Sequence, residues 1–324
     1  MSAAPAATAD VTFFAGDWGD ARIDRARAKQ LLCCDEEELD RHLAGGLPQW
    51  TEDAEAVLGY SDVMNAGLYR GSALSIPRLA ERYLVRFADQ PVEAWAQEER
   101  WALTLTEVCP EGCSWEAAPS PPEAATGSWR RDEAAPSPGW TLETTVRGTI
   151  AEVADPRLRD LYGRTLEQLR DGSLRYQYLP PRLRTAPDAA RELGLCDCTT
   201  TARSLARACE QVGIPSRLRL GYLLGMMPIE HAWVEALDGG EYKPLDPILA
   251  MLVIRSGAED ARDRIGDFCL GSLPSCVLRW PVDSRSPLVP PGCAHAAATR
   301  SATARPLVKT AARGEVAASH KEFG

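Results

Sequence analysis

The chain has 324 residues, 45% hydrophobic and 25% charged, with 25 Gly, 24 Pro and 10 Cys. These ordinary globular values exclude collagen-like, wholly disordered and disulfide-miniprotein readings, and the length is enough for about two domains. The net charge of -10 is unevenly spread: residues 1–150 hold 25 acids against 13 bases, a balance of -12, whereas residues 157–219 hold 12 Arg, no Lys and 7 acids, a balance of +5.

That asymmetry fits an anionic partner or substrate near the second segment, with solvated helix faces as the plain alternative. No apolar run reaches the roughly 18–20 residues that a membrane span needs. Residues 1–10 lack the basic and apolar stretches of a secretory leader. The expectation is a cytoplasmic protein with reduced thiols, and with neither membrane nor nucleic acid as partner. The cysteines lack repeated C-x2-C spacing and only four His are present, so no metal site and no cofactor is expected.

Taken in chain order, residues 1–12 read as disordered and 13–109 as mostly helical. One helix is predicted from Asp20 to Leu43, ended by Gly45-Gly46, and another from Pro77 to Phe87. Residues 110–139 form a Pro/Ala/Ser-rich linker. A second domain covers 140–284. It opens with a β-branched strand over Trp140–Val153 and a helix from Pro156 to about Leu169. The last segment, 285–324, reads as a disordered tail.

Between Leu195 and Pro215, small or apolar residues recur at Cys198, Ala202, Leu205, Ala206, Cys209 and Val212, one face of a helix that Gly213 and Pro215 terminate. Cys198 thus opens a helix, where unbonded N–H groups and the positive end of the dipole favour a thiolate. Cys196 falls in the preceding loop, and Cys33/Cys34 and Cys269/Cys276 read as core thiols.

Downstream, Arg217–Leu223 alternates as a strand, and two further alternating runs, His231–Leu237 and Glu241–Asp246, flank Asp238-Gly239. With Asp238-Gly239 as the two-residue turn, Glu235 faces Tyr242, Trp233 faces Pro244 and His231 faces Asp246. Opposed residues share a face, so Asp246 can fix the imidazole while its other nitrogen meets a thiol. Cys198, His231 and Asp246 are therefore the candidate catalytic residues.

These residues resemble the transglutaminase-like superfamily, relatives of the papain-like thiol enzymes. The resemblance rests on Cys198 at a helix start, Gly213-Ile-Pro-Ser-Arg217, Gly221-Tyr222, His231-Ala-Trp-Val-Glu235 and Asp246-Pro247. It implies an α+β fold, a nucleophile-bearing helix packed on an antiparallel sheet, over residues 145–250. It also implies Cys198 as nucleophile, His231 as general base and acid, and Asp246 as orienter. Tyr176-Gln-Tyr178 stands where such domains often carry an aromatic near the oxyanion.

The implied chemistry is acyl transfer through a Cys thioester. An amide, peptide or thioester is the donor, and an amine or water the acceptor. Stand-alone bacterial members of the superfamily point to carrier-bound acyl thioesters, and hence to an acyl or peptidyl carrier protein as partner. A thiol peptidase or amidase and a non-catalytic binding module stay open beside that reading. No calcium loop of the D-x-[DN]-x-[DN]-G type is present.

Overall fold

The computed structural model describes residues 11–14, 16, 18–88, 90–108, 118–119, 121–123, 126–132, 139–225, 229–256, 262–282 and 299–307. Residues 1–10 of the stretch expected to be disordered (1–12) lie outside these, as do Cys109, Cys113, His295 and His320.

The N-terminal region comprises β1 (Arg22–Asp24), α1 (Arg25–Leu32), α2 (Glu36–Ala44), β2 (Gln49–Glu52), β3 (Glu55–Gly59), α3 (Tyr60–Tyr69), α4 (Ile76–Ala88) and α5 (Val92–Trp95). It is helical with a small sheet of order β1-β3-β2. The single helix predicted over Asp20–Leu43 is two helices. Cys33 adopts the left-handed conformation (φ 52°) to close α1, and Asp35 then caps α2 by accepting the Glu38 N–H at 2.9 Å. Because it sits at this break, Cys33 is exposed and Cys34 only half-buried, so neither is the core thiol expected.

A second sheet, of order β13-β4-β6-β5, is formed by β4 (Glu99–Val108), β5 (Arg130–Asp132), β6 (Gly139–Val146) and, from far along the chain, β13 (Thr299–Pro306). β5 lies within the stretch read as linker. The chain continues with α6 (Pro156–Asp171), β7 (Arg175–Tyr176), α7 (Pro181–Arg184), α8 (Pro187–Glu192), β8 (Leu195–Cys196) and α9 (Cys198–Gln211). Then come β9 (Ser216–Leu223), β10 (Ile229–Asp238), β11 (Glu241–Leu245), α10 (Pro247–Ser256), α11 (Arg262–Phe268), β12 (Val277–Arg279) and β13 (Thr299–Pro306).

β13 pairs antiparallel with β4 along its length, from Thr299 opposite Val108 to Pro306 opposite Trp101, so residues 299–306 correct the reading of 285–324 as a structureless tail. Its alternating small residues bury Ala304 on the sheet, and as an edge strand it needs no long apolar run.

The third sheet, β11-β10-β9-β12, is antiparallel throughout, and α9 packs across it. Ala202 and Leu205 of α9 bury against Ala232 and Val234 of β10, the helix-on-sheet layer of an α+β domain. The main core runs beneath, through Trp95, Trp101, Tyr222, Trp233, Trp280 and most of α10. Among the described residues no helix is long and apolar enough to cross a membrane.

Among the ties between the N-terminal region and this domain is one fully buried amide. Asn65 of α3 donates from Nδ2 to the Tyr178 carbonyl at 2.9 Å, and its Oδ1 accepts the Tyr178 N–H at 2.7 Å. Those two bonds satisfy both backbone groups of Tyr178, just past β7. Exchange of Asn65 for leucine strands both backbone groups, each costing about 1–3 kcal/mol. Denaturant unfolding of Asn65→Leu is expected to show a loss of about 2–4 kcal/mol. A loss within the spread of surface substitutions would show that the amide does not hold the two regions together.

Candidate active site

Asp197 is the N-cap of α9: its Oδ1 accepts the Thr200 N–H at 2.8 Å while Thr200 Oγ1 accepts the Asp197 N–H at 2.9 Å, a reciprocal capping box. Arg184 of α7 donates from Nε to the other Asp197 oxygen at 2.7 Å, which fixes the helix start from outside. Cys198 is therefore the first helical residue, half-buried at the positive end of a 14-residue helix. Cys196, two residues earlier, is 2% exposed in β8, and burial pushes its thiol up to about 12. The placement distinguishes the two: Cys198 opens on a cleft and Cys196 on the core.

His231 stands on β10 directly opposite Gly221 of β9. A Cβ at Gly221 would lie 2.3 Å from the Leu278 carbonyl oxygen and 3.0 Å from the Trp233 ring. Glycine thus leaves room both for the neighbouring strand and for Trp233, whose ring stacks on the His231 imidazole at 6.0 Å between centroids. Trp233 and Val234 are buried, as expected of sheet-packing residues.

The Asp246 contact forms by a different route from the predicted one. The hairpin turn is Gly239-Gly240, with φ of 63° and 89°, and Asp238 pairs with Glu241. Two consecutive positive-φ glycines suit the type I′ geometry better than Asp-Gly does. Every pairing consequently shifts by two residues: Glu235 faces Pro244 and Leu237 faces Tyr242. A shift of two preserves the face, because the side-chain period of a strand is two. Asp246 itself lies past the end of β11 as the N-cap of α10, accepting the Leu249 N–H at 2.9 Å, with Pro247 in the first helical position. Its second oxygen, Oδ2, reaches His231 Nε2 at 2.6 Å. Helix capping and imidazole orientation are thus shared between the two oxygens of one carboxylate, 1% exposed.

Cys198 and His231 line the same cleft, close enough for the thiol to act on the imidazole, whose Nε2 is taken by Asp246. Burial disfavours its charge, but the adjacent Asp246 carboxylate, then Cys198, more than offset this and lift the imidazole from its ordinary 6.5 to about 10. A group bound more tightly by protons when folded stabilises the fold fully below about pH 6.5, and that contribution fades as pH rises through about 10. Thermal unfolding between pH 7 and 10.5 is accordingly expected to show a steeper fall in Tm for the wild type than for His231→Gln. Parallel pH profiles would contradict the assignment.

Cys198, Thr199, Leu220, Gly221, Glu230 and His231 line a cleft of about 70 Å³, and Arg184 closes one side. The basic segment 157–219 reaches the cleft through Arg184. Other arginines of the segment are engaged elsewhere: Arg157 with Asp155, Arg164 with Asp160, Arg207 with Asp188, and Arg217 and Arg219 with Glu235. Tyr176 and Tyr178 pack edge-to-face at 6.1 Å, and both rings lie close enough to Cys198 to feel its charge. Among the described residues no three His, Cys, Asp or Glu side chains gather as a metal site.

The sequence alone assigns no ionic role to Glu235 and does not single out Arg184. Glu235, 2% exposed, bridges Arg217 at 2.7 Å and Arg219 at 3.4 Å across the β9–β10 pair. The alternation Arg217-x-Arg219 opposite a Glu in the neighbouring strand is the signal that could have located it.

Residues 147–247 match the sequence family described as the transglutaminase-like superfamily. The chain carries a transglutaminase-like domain. Three solved chains match. One is a candidate cysteine protease from Cytophaga hutchinsonii, 10% identical, aligned over 65% of this chain and 89% of that one with a TM-score of 0.29. Another, described as a TGase, is 12% identical over 37% of this chain and 44% of that one, with a TM-score of 0.22. No curated protein matches the chain.

Proposed function

We propose that the transglutaminase-like domain is a cysteine-dependent acyltransferase that forms or exchanges an amide bond. The observation that supports this most is the single chain of contacts from Asp246 through His231 to Cys198, ending in the cleft.

In the reaction, Cys198 gives its proton to His231, and its Sγ attacks the donor carbonyl to form a tetrahedral oxyanion. The first-turn N–H groups of α9 have no intrahelical acceptor. Asp197 takes the N–H groups of Thr200 and Thr201, so those of Cys198 and Thr199 are the donors nearest the oxyanion. Collapse breaks the bond to the leaving group, which departs with a proton from His231 and leaves an acyl-Cys198 thioester. An amine then attacks the thioester carbonyl and gives its proton to His231; collapse breaks the C–S bond, the amide leaves, and His231 returns the proton to Cys198 Sγ. Asp246 holds the imidazole throughout and balances its positive charge.

Donors of the acyl-thioester class, presented free or on a carrier protein, are the first to test. The enzyme is incubated with a short acyl thioester or a glutaminyl peptide, with and without hydroxylamine, and products are identified by mass. Hydroxamate in excess of free acid is the expected result. Free acid whose yield ignores hydroxylamine would replace this reading by a thiol peptidase or amidase. Absence of any turnover or acyl-enzyme with either donor class would favour a binding module.

A further inference from the structure

The acyl-transfer steps make no use of one cationic wall of the cleft. Arg184 lines it together with Cys198, Glu230 and His231. Its Nε donates to Asp197, the N-cap of α9 and 2% exposed, at 2.7 Å. The Arg184 side chain is nevertheless 41% exposed, and no hydrogen bond among the described residues uses its Nη1 or Nη2.

A guanidinium has five N–H donors in a rigid fork, and holding Asp197 occupies one of them. That contact also anchors the side chain, so little freedom is lost when the Nη groups bind something further. Glu230, exposed and next to His231 on β10, gives the same cleft an acidic wall. The charges of Arg184 and Glu230 act on each other, and Asp197, Cys198 and Tyr176 are the further ionisable groups close to Arg184. Walls of both signs favour a ligand that carries both charges. A lone carboxylate would bring like charge toward Glu230, and a lone amine would leave the Arg184 fork unmet.

We propose that the acceptor amine belongs to a free α-amino acid, an inference that rests on the acyltransferase reading and names its second substrate. The α-carboxylate lies on the Nη groups of Arg184, whose planar fork matches carboxylate oxygens, and the ammonium enters beside Glu230. In an α-amino acid the carboxyl carbon is two bonds from the nitrogen. That short reach suits a cleft of about 70 Å³ whose walls include both Arg184 and Cys198. The ammonium loses one proton to water, and the neutral nitrogen attacks the acyl-Cys198 carbonyl. A C–N bond forms, the C–S bond breaks, and a second nitrogen proton passes through His231 to Cys198 Sγ. The product is an N-acyl amino acid.

The test is a competition in which the full chain receives a butyryl thioester with glycine and glycinamide at equal concentration, and the two amide products are counted by mass against an enzyme-free control. Glycinamide has the less basic amine, so more of it is unprotonated and it wins wherever the carboxylate is not recognised. Butyrylglycine in about tenfold excess over butyrylglycinamide is the expected result for the wild type. Arg184→Gln should erase that excess. The readout is a ratio, so slower turnover caused by a loosened Asp197 does not move it, and the wild-type comparison decides even if the variant fails to fold. Butyrylglycinamide in excess, or a glycine preference that survives in Arg184→Gln, would overturn the proposal. So would faster acylation of Cys198 by a succinyl than by a butyryl thioester that is lost in Arg184→Gln, because the carboxylate would then belong to the donor. Butyrate as the sole product with either amine would remove the acyltransferase reading itself, and this inference with it.

Discussion

Replacing His231 by glutamine is expected to lower kcat for acyl transfer by about 10⁴-fold or more, the scale seen when one member of a catalytic unit is removed. Glutamine can keep a hydrogen bond toward Asp246 but cannot carry a proton between Cys198 and the leaving group. KM should change far less, because the imidazole acts on the reacting atoms and not on the rest of the substrate. Asp246→Asn should fall by about 10³- to 10⁴-fold for a related reason: an amide keeps the shape but no longer balances the imidazolium or dictates its tautomer. Steady-state kinetics check both. A His231→Gln enzyme with nearly normal kcat would remove His231 from the chemistry. Asp246 carries an additional role as cap of α10, so its alanine variant should also lose about 1 kcal/mol of stability.

The largest stability effect is expected at Glu235. This carboxylate lies between two arginines, and Arg219 is itself completely buried, with further bonds to Glu123 and to the Trp280 carbonyl at 3.0 Å. Removing the carboxylate leaves the buried Arg219 guanidinium with only Glu123, at the edge of the cluster, and the Trp280 carbonyl, at a cost of up to about 3–5 kcal/mol. Denaturant unfolding of Glu235→Ala should show that loss. The double variant Arg219→Met/Glu235→Leu should recover most of it, because an apolar pair of similar volume has no charge to desolvate. If the double variant is as unstable as the single one, the stabilisation comes from packing and not from the charge pair. The glutamate in the His231-Ala-Trp-Val-Glu235 run is thus explained by the sheet it staples, while His231 of the same run, on the same face of β10, serves the cleft.

The parts of the site that were legible in the sequence are those set by local periodicity. The start of α9 at Cys198, its end before Gly213, and the strands either side of the hairpin follow from 3.6- and 2-residue patterns and from glycine positions. The predicted register was off by two residues, and the Asp246–His231 contact was still anticipated because an even shift keeps parity. What parity could not show is that Asp246-Pro247 begins a helix. Pro247–Val253 reads as a short apolar run, and a buried strand and a buried helix look alike in such a stretch.

Longer-range features left no local trace. The Asn65–Tyr178 clamp joins residues 113 apart, and nothing near either one announces it. β13 was missed because an edge strand built from Thr, Ser and Ala has the composition of a tail. The break between α1 and α2 was hidden because Cys33 is a non-glycine residue in a left-handed conformation, a state that composition does not signal.

The acyl group is expected to be carried on Cys198 Sγ. The most direct measurement is intact-mass analysis of the wild type, Cys196→Ala and Cys198→Ala after brief exposure to an acyl thioester. One acyl mass on the wild type and on Cys196→Ala, with none on Cys198→Ala, is the predicted result. An acyl adduct that persists on Cys198→Ala would contradict it.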